Sequence, residues 1–124
     1  MIMKYNKGSE WRVWDLHVHT PASELNNGFG NDWDIYVKAL FQKALENNIA
    51  VIGITDYFTI EGYKKIKNEY LENDNKIKEL FTEDEILKIK EILILPNIEF
   101  RLDKLVDDNR VNFHVIFSNE VSIQ

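Results

Sequence analysis

The chain has 124 residues, 44% of them hydrophobic and 29% charged, the composition of one ordinary globular domain rather than of a disordered or fibrous chain. Lys+Arg number 15 against 21 Asp+Glu, a formal net charge of −6, which argues against gripping nucleic acid by bulk positive charge but leaves room for a local phosphate site. Cysteine is absent, so disulfides, Cys-held zinc and thiol nucleophiles are excluded, and any metal must be held by Asp, Glu and the three His.

Met1 to Lys7 lacks the apolar stretch of a secretion signal. No run approaches the ~18 apolar residues of a membrane span. The expectation is a cytoplasmic protein with no membrane partner. Arg12 to His19 is rich in β-formers, and Leu16 and Val18 alternate with Asp15, His17 and His19. A period of two predicts a strand with one apolar face and one carrying the acid and both imidazoles. Pro21 ends it, and Ala22 to Gly30, with Asn26 and Asn27, reads as a loop.

Asn31 or Asp32 can cap a helix that starts near Trp33. Its apolar stripe is Ile35/Tyr36, Ala39/Leu40 and Ala44/Leu45, and Asn47-Asn48 close it. Ala50 to Ile54 is a continuous apolar run, the mark of a strand buried on both faces. Thr55 to Ile60 is expected to be the loop at its end. Glu61 to Leu71 reads as a helix with Tyr63, Ile66 and Tyr70 on one side, and Lys76 to Phe81 as a short one.

Thr82 and Glu85 have capping-box spacing, which predicts a helix from Glu83 to about Lys90. Ile92 to Leu95 is the next buried strand. Pro96 is expected to interrupt it, with extended structure resuming over Ile98 to Leu102. Asp103 to Arg110 reads as a charged turn, and Val111 to Ser118 as a last strand. Helices alternating with buried strands predict an α/β fold with parallel pairing.

The sharpest chemical signal is Asp15-Leu16-His17-Val18-His19-Thr20. Imidazoles two apart on a strand leave the same face about 7 Å apart along the backbone, close enough to converge on one ion. Asp15 could orient one of them. Asp56 stands just past an apolar run; Glu99 and Arg101 share one face of a strand; His114 interrupts another. A carboxylate inside a β run is costly to bury unless paired or on a metal. Each of these residues also has a plainer reading. The histidine pair could be polar groups at the sheet rim. Asp56 could cap a helix or shape a turn. Glu99 and Arg101 could form a rim ion pair, and His114 could be a hydrogen-bonded core residue. The aromatic residues, Tyr57 and Phe58 among them, read as packing.

The order of HxH on a strand, Ile54-Thr55-Asp56, a lone Glu and a lone His resembles the PHP domain (polymerase and histidinol phosphatase). The likeness runs from Trp11 to Ser118. Trp33-Asp34, Ile54-Thr55-Asp56-Tyr57-Phe58, Pro96-Asn97-Ile98-Glu99-Phe100-Arg101 and Asn112-Phe113-His114-Val115-Ile116-Phe117-Ser118 are similar, more narrowly, to the PHP domain heading bacterial AAA-like or SMC-like ATPases, the TrlF-like type.

That resemblance implies a distorted (β/α)7 TIM-like barrel with parallel strands and flanking helices. It implies phosphoester hydrolysis on two divalent transition metals, zinc, manganese or iron. His17 and His19 would hold the first metal, Glu99 would bridge, and His114 would hold the second. Asp15 and Asp56 are the further candidate catalytic acids, and Arg101 is a candidate phosphate contact on geometry. The implied partners are a phosphate-ester substrate, possibly DNA or RNA, and an attached ATPase active in nucleic-acid processing or phage defence. Tyr57 stands where the family usually has His, and Ser23 falls where another His is common; both argue against a third metal. The family's later His and Asp-x-His have no counterpart up to Gln124, and (β/α) barrels need roughly 200 residues or more. Residues 1–124 are thus expected to be the N-terminal half of the barrel, a partial PHP domain. The alternative is an eroded PHP module that supports an ATPase without doing chemistry.

Overall fold

The computed structural model describes residues 10–25 and 28–123. The readings made above for Met1 to Lys7, for Asn26 and Asn27, and for Gln124 lie outside them. Four strands, β1 (Val13–Val18), β2 (Ile49–Tyr57), β3 (Leu93–Val106) and β4 (Asn109–Ile116), form one mixed sheet in the order β1-β2-β3-β4. The helices are α1 (Trp33–Glu46), α2 (Glu61–Lys65), α3 (Asp74–Leu80) and α4 (Glu83–Lys90). The fold is α/β, as the alternation of elements predicts. The pairing is only partly parallel: β1–β2 and β2–β3 are parallel, but β4 runs antiparallel to β3. The reason is local. Asp107-Asp108 make a two-residue turn with both φ values positive, 48° and 61°. That is the geometry that folds a strand straight back on itself, so no crossover helix intervenes.

Three boundaries differ from the expectation for related reasons. β2 continues through Thr55, Asp56 and Tyr57 rather than ending in a loop at Thr55, because each finds a ladder partner in Asn97, Ile98 and Glu99. β3 passes through Pro96 without a break. The Pro96 carbonyl accepts from the Phe117 N–H (2.9 Å), so the missing donor faces the β4 side, just past the last β4 pair, Asn97↔Ile116. A proline is tolerated where no ladder bond is lost. The charged stretch Asp103 to Arg110 is mostly strand, with only Asp107 and Asp108 in the turn.

α1 is capped by Asp32, whose side chain accepts from the Ile35 N–H (3.1 Å), and α4 has the full Thr82/Glu85 capping box. The buried stripe of α1 is Tyr36, Val37, Phe41 and Ala44, while Ile35 is exposed. The face is therefore rotated by about one residue from the predicted one. α2 runs on into a π-helical turn (Ile66–Leu71), closed by the Glu72 N–H on the Lys67 carbonyl (2.9 Å). α3 begins two residues before the predicted Lys76, since Asn73 caps it at the Lys76 N–H (3.1 Å).

The core lies between the helices and one face of the sheet. Ile52, Ile54 and Ile94 meet Val37, Phe41, Tyr63, Ile66, Ile77, Phe81 and Ile89 there. Each such side chain removed from water contributes about 1.5–3 kcal/mol. The other face of the sheet is curled, and beyond Gly53 it carries Thr55, Asn97, Glu99 and His114. Gly53 makes the curl possible: a Cβ there would lie 2.5 Å from the Leu16 carbonyl oxygen of β1. Asn97 on β3 donates to that same carbonyl (2.9 Å), reaching across β2. No helix among the described residues is long and apolar enough to cross a membrane.

Candidate metal centre

The curl brings the two edge strands together. His17 on β1 and His114 on β4 have ring centroids 4.6 Å apart, although two strands separate them in the sheet order. Between them rises Glu99 from β3, 1% exposed. Its Oε2 lies 3.1 Å from His17 Nε2 and 3.2 Å from His19 Nε2. Those two nitrogens are 3.1 Å from each other. Four ligands at roughly 2.1 Å in a tetrahedron stand about 3.4 Å apart, so these three atoms have close to the spacing of one tetrahedral face. His17, His19 and Glu99 could hold a metal ion. His114 faces the other carboxylate oxygen, with Nε2 3.8 Å from Oε1.

Neighbouring side chains orient this group. Ser23 Oγ is 3.2 Å from His19 Nδ1 and also accepts from the Tyr57 N–H (3.3 Å). With Nδ1–H donating to Ser23, the lone pair of His19 lies on Nε2, toward Glu99. Asn112 Nδ2 donates to Glu99 Oε1 (2.8 Å). Asn97 has two side-chain protons, and Thr55 Oγ1 (2.8 Å) and the Leu16 carbonyl (2.9 Å) take both. Its amide is therefore set by β1 and β2, and His114 Nδ1 is a third neighbour at 3.2 Å.

Burial alone would raise the Glu99 carboxyl pKa. The Asn112 hydrogen bond and the charges of His17, His114 and His19 outweigh it and hold the group below its ordinary value. For His19, burial lowers the pKa; Glu99 opposes this, and His17 and His114 add to it. Both shifts favour the pair that ligates a cation, an ionised Glu99 carboxylate and a neutral His19 imidazole.

The other candidates sit differently. Asp15 is exposed and accepts from the His17 backbone N–H (3.2 Å), so it braces the strand rather than an imidazole ring. Asp56 is 1% exposed and accepts from the Thr20 N–H and the Thr20 hydroxyl, both at 2.8 Å. A backbone hydrogen bond from Gly62 adds to these. It ties the end of β1 to α2, close to the turn-shaping role open to it from sequence. Burial pushes its pKa up against those bonds. Arg101 Nη2 donates to Tyr57 Oη (3.0 Å), and Arg101 Nε to Asn112 Oδ1 (3.3 Å). Tyr57 in turn stacks on His19 at 5.0 Å.

Asn112, Asn97 and Tyr57 also shape the site, though residue type alone marks none of them for it. The signal was present in the alternation: Asn97, Glu99 and Arg101 share one face of β3, and Asn112 and His114 share one face of β4. No family model matches this chain, and no curated protein matches it at a significant level. The functional reading is therefore carried by the donor atoms and their spacing.

Proposed function

We propose that this protein is a metal-dependent phosphoesterase of the PHP type, hydrolysing a phosphodiester or phosphomonoester. The observation that carries the reading is the triangle of His17 Nε2, His19 Nε2 and Glu99 Oε2, with edges of 3.1, 3.1 and 3.2 Å. A set of imidazoles and one carboxylate suits zinc, manganese or iron better than magnesium or calcium. His17 and His19 would hold one ion with Glu99 Oε2. His114 and Glu99 Oε1 would hold a second. Ions bound in this way activate water and neutralise charge on a phosphoryl group.

The chain's own residues do the rest. Ser23 keeps the His19 lone pair turned to the site, and Asn112 holds the Glu99 carboxylate in place. Asp56, through Thr20, anchors the turn that follows His19, and Asp15 braces the backbone of His17. Arg101 meets the phosphate. By the PHP resemblance the substrate is nucleic acid or a nucleotide, and the domain serves an attached ATPase in nucleic-acid processing or phage defence.

Metal analysis and hydrolysis assays test the reading. Purified protein should retain transition metal and cleave a phosphodiester or phosphomonoester with Mn²⁺ or Zn²⁺, and His17→Ala should abolish both. Activity that survives both chelation and His17→Ala overturns it. A protein that binds no transition metal is instead the eroded module.

A further inference from the structure

We propose that Arg101, with Tyr57 and Asn112, forms an anion subsite beside the imidazole–carboxylate cluster that selects a phosphomonoester over an internal phosphodiester. The inference rests on the phosphoesterase reading and names its substrate class. Arg101 is half-buried on the concave face, two residues along β3 from Glu99. Among the described residues no carboxylate pairs with it. Its guanidinium lies over the Tyr57 ring, 5.1 Å from the centroid, and donates to two neutral oxygens, Tyr57 Oη and Asn112 Oδ1. A guanidinium has five N–H donors. Two are used for holding it still, and the charge is left uncompensated.

The same contacts couple it to the cluster. Asn112 donates to Glu99 with its nitrogen and accepts from Arg101 with its oxygen. A carboxylate needs the N–H end and a guanidinium needs the oxygen, so the amide has one orientation that satisfies both. Tyr57 stacks on His19 with an interplanar angle of 20° and receives the Arg101 hydrogen bond at its hydroxyl. The fixed cation is thus built into the same network as the ligands.

Charge then decides the substrate. Glu99 is the one carboxylate among the described residues that contacts the three imidazoles. An imidazole that ligates a cation does so in its neutral form, so beside a divalent cation the Glu99 carboxylate and the Arg101 guanidinium leave the pocket net positive. A terminal phosphate carries a charge of about −1.5 to −2 near neutral pH; an internal diester carries a single negative charge. The extra anionic oxygen is what the planar fork of Arg101 is suited to take.

The test uses the full chain loaded with Mn²⁺ or Zn²⁺, inorganic phosphate as the calorimetric probe, and p-nitrophenyl phosphate against bis-p-nitrophenyl phosphate as substrates. Arg101→Gln should keep the metal stoichiometry and weaken phosphate binding about tenfold or more, the loss of one charged hydrogen bond. The kcat/KM ratio of monoester to diester should fall by a similar factor. Arg101→Lys should recover part of both. Tyr57→Phe, which removes a positioning hydroxyl, should raise KM for the monoester more than it lowers kcat. Equal losses on the two substrates, or unchanged phosphate affinity in Arg101→Gln, overturn the subsite. A chain that takes up no metal ends the phosphoesterase reading instead. Phosphate titration of the metal-free chain then decides the subsite: binding that depends on Arg101 supports it, and binding that is absent or independent of Arg101 overturns it.

Discussion

Glu99 of β3 and His114 of β4 stand directly opposite each other in the antiparallel ladder, and that register is what brings His114 to the second oxygen of the carboxylate. A slip of one residue would turn His114 to the convex face, because side chains alternate along a strand. The register follows from two features: the hairpin, where Asp107 and Asp108 both adopt left-handed backbone, and the register shift between Arg101 and Leu105. Left-handed geometry is costly for aspartate and free for glycine. Changing the pair to Asn-Gly should therefore stabilise the protein by about 0.5 kcal/mol. The check is a higher urea midpoint at an unchanged m-value. A lower midpoint would show that the turn does not have this geometry in solution.

Asn112 holds the charged oxygen of Glu99 opposite the His17–His19 side. Asn112→Ala should weaken metal binding about 10–100-fold, the usual range for a partner that orients a ligand. Competition against a chromophoric chelator measures it. Wild-type affinity in the variant would mean that Glu99 is held by its imidazoles alone.

Asp56 accepts two hydrogen bonds from Thr20 and one from Gly62 inside the protein. Asp56→Ala strands those donors away from water. Stability should fall by about 2–4 kcal/mol, read from urea denaturation of the metal-free protein, where loss of a catalytic group alone would leave stability intact.

Gly53→Ala drives a methyl group onto the Leu16 carbonyl, which already accepts from Thr55 and Asn97. Backbone cannot yield there as a side-chain tip could. The expected cost is about 1–3 kcal/mol, together with weaker metal binding, since β1 carries His17 and leads directly into His19. Equilibrium unfolding and metal titration of the same variant check both.

Asp34 gives a pH signature away from the site. Its carboxylate accepts from Lys76 Nζ and from the Tyr70 hydroxyl, each at 2.7 Å. First the Lys76 hydrogen bond and then the Tyr70 one hold its pKa below the ordinary 3.8. A depressed acid adds stability that is complete above its unfolded pKa and is lost as pH falls through the lower folded value. The group is about half exposed, with 45% of its side chain accessible, so the contribution is at most about 1 kcal/mol. Wild type should exceed Asp34→Asn in stability at about pH 6, and the gap should shrink as pH is lowered from about 4 toward 2. A gap that persists at the acid end would place its origin in packing.

Local chemistry was legible before any coordinates. Thr82 with Glu85 marks α4, Asp32 marks the start of α1, and the unbroken apolar run from Ala50 marks the central strand; each depends only on neighbours along the chain. The candidate ligands were legible for a similar reason. His17, His19, Glu99 and His114 are polar groups set in β-forming runs, and that pattern is expensive without a purpose. Strand direction was not legible, because it turns on two left-handed aspartates that read equally well as a loose charged loop. Pro96 reads as a break until it is known that the β4 pairing ends beside it, at Asn97↔Ile116. Nor was Asn112 legible, since an asparagine on a strand has no chemical signature until a carboxylate and a guanidinium lie at its two ends.

By itself the amino-acid order determined which side chains could ligate a cation, where the helices lie and where the strand cores lie, since these follow from residue type and short-range spacing. Only the tertiary structure decided that β1 and β4, the two edges of the sheet, meet over Glu99, and that Arg101 stands beside them with its charge uncompensated. Those facts follow from the curl across Gly53 and from the β3–β4 register, which shifts between Arg101 and Leu105; both are set by contacts between strands rather than by immediate neighbours along the chain.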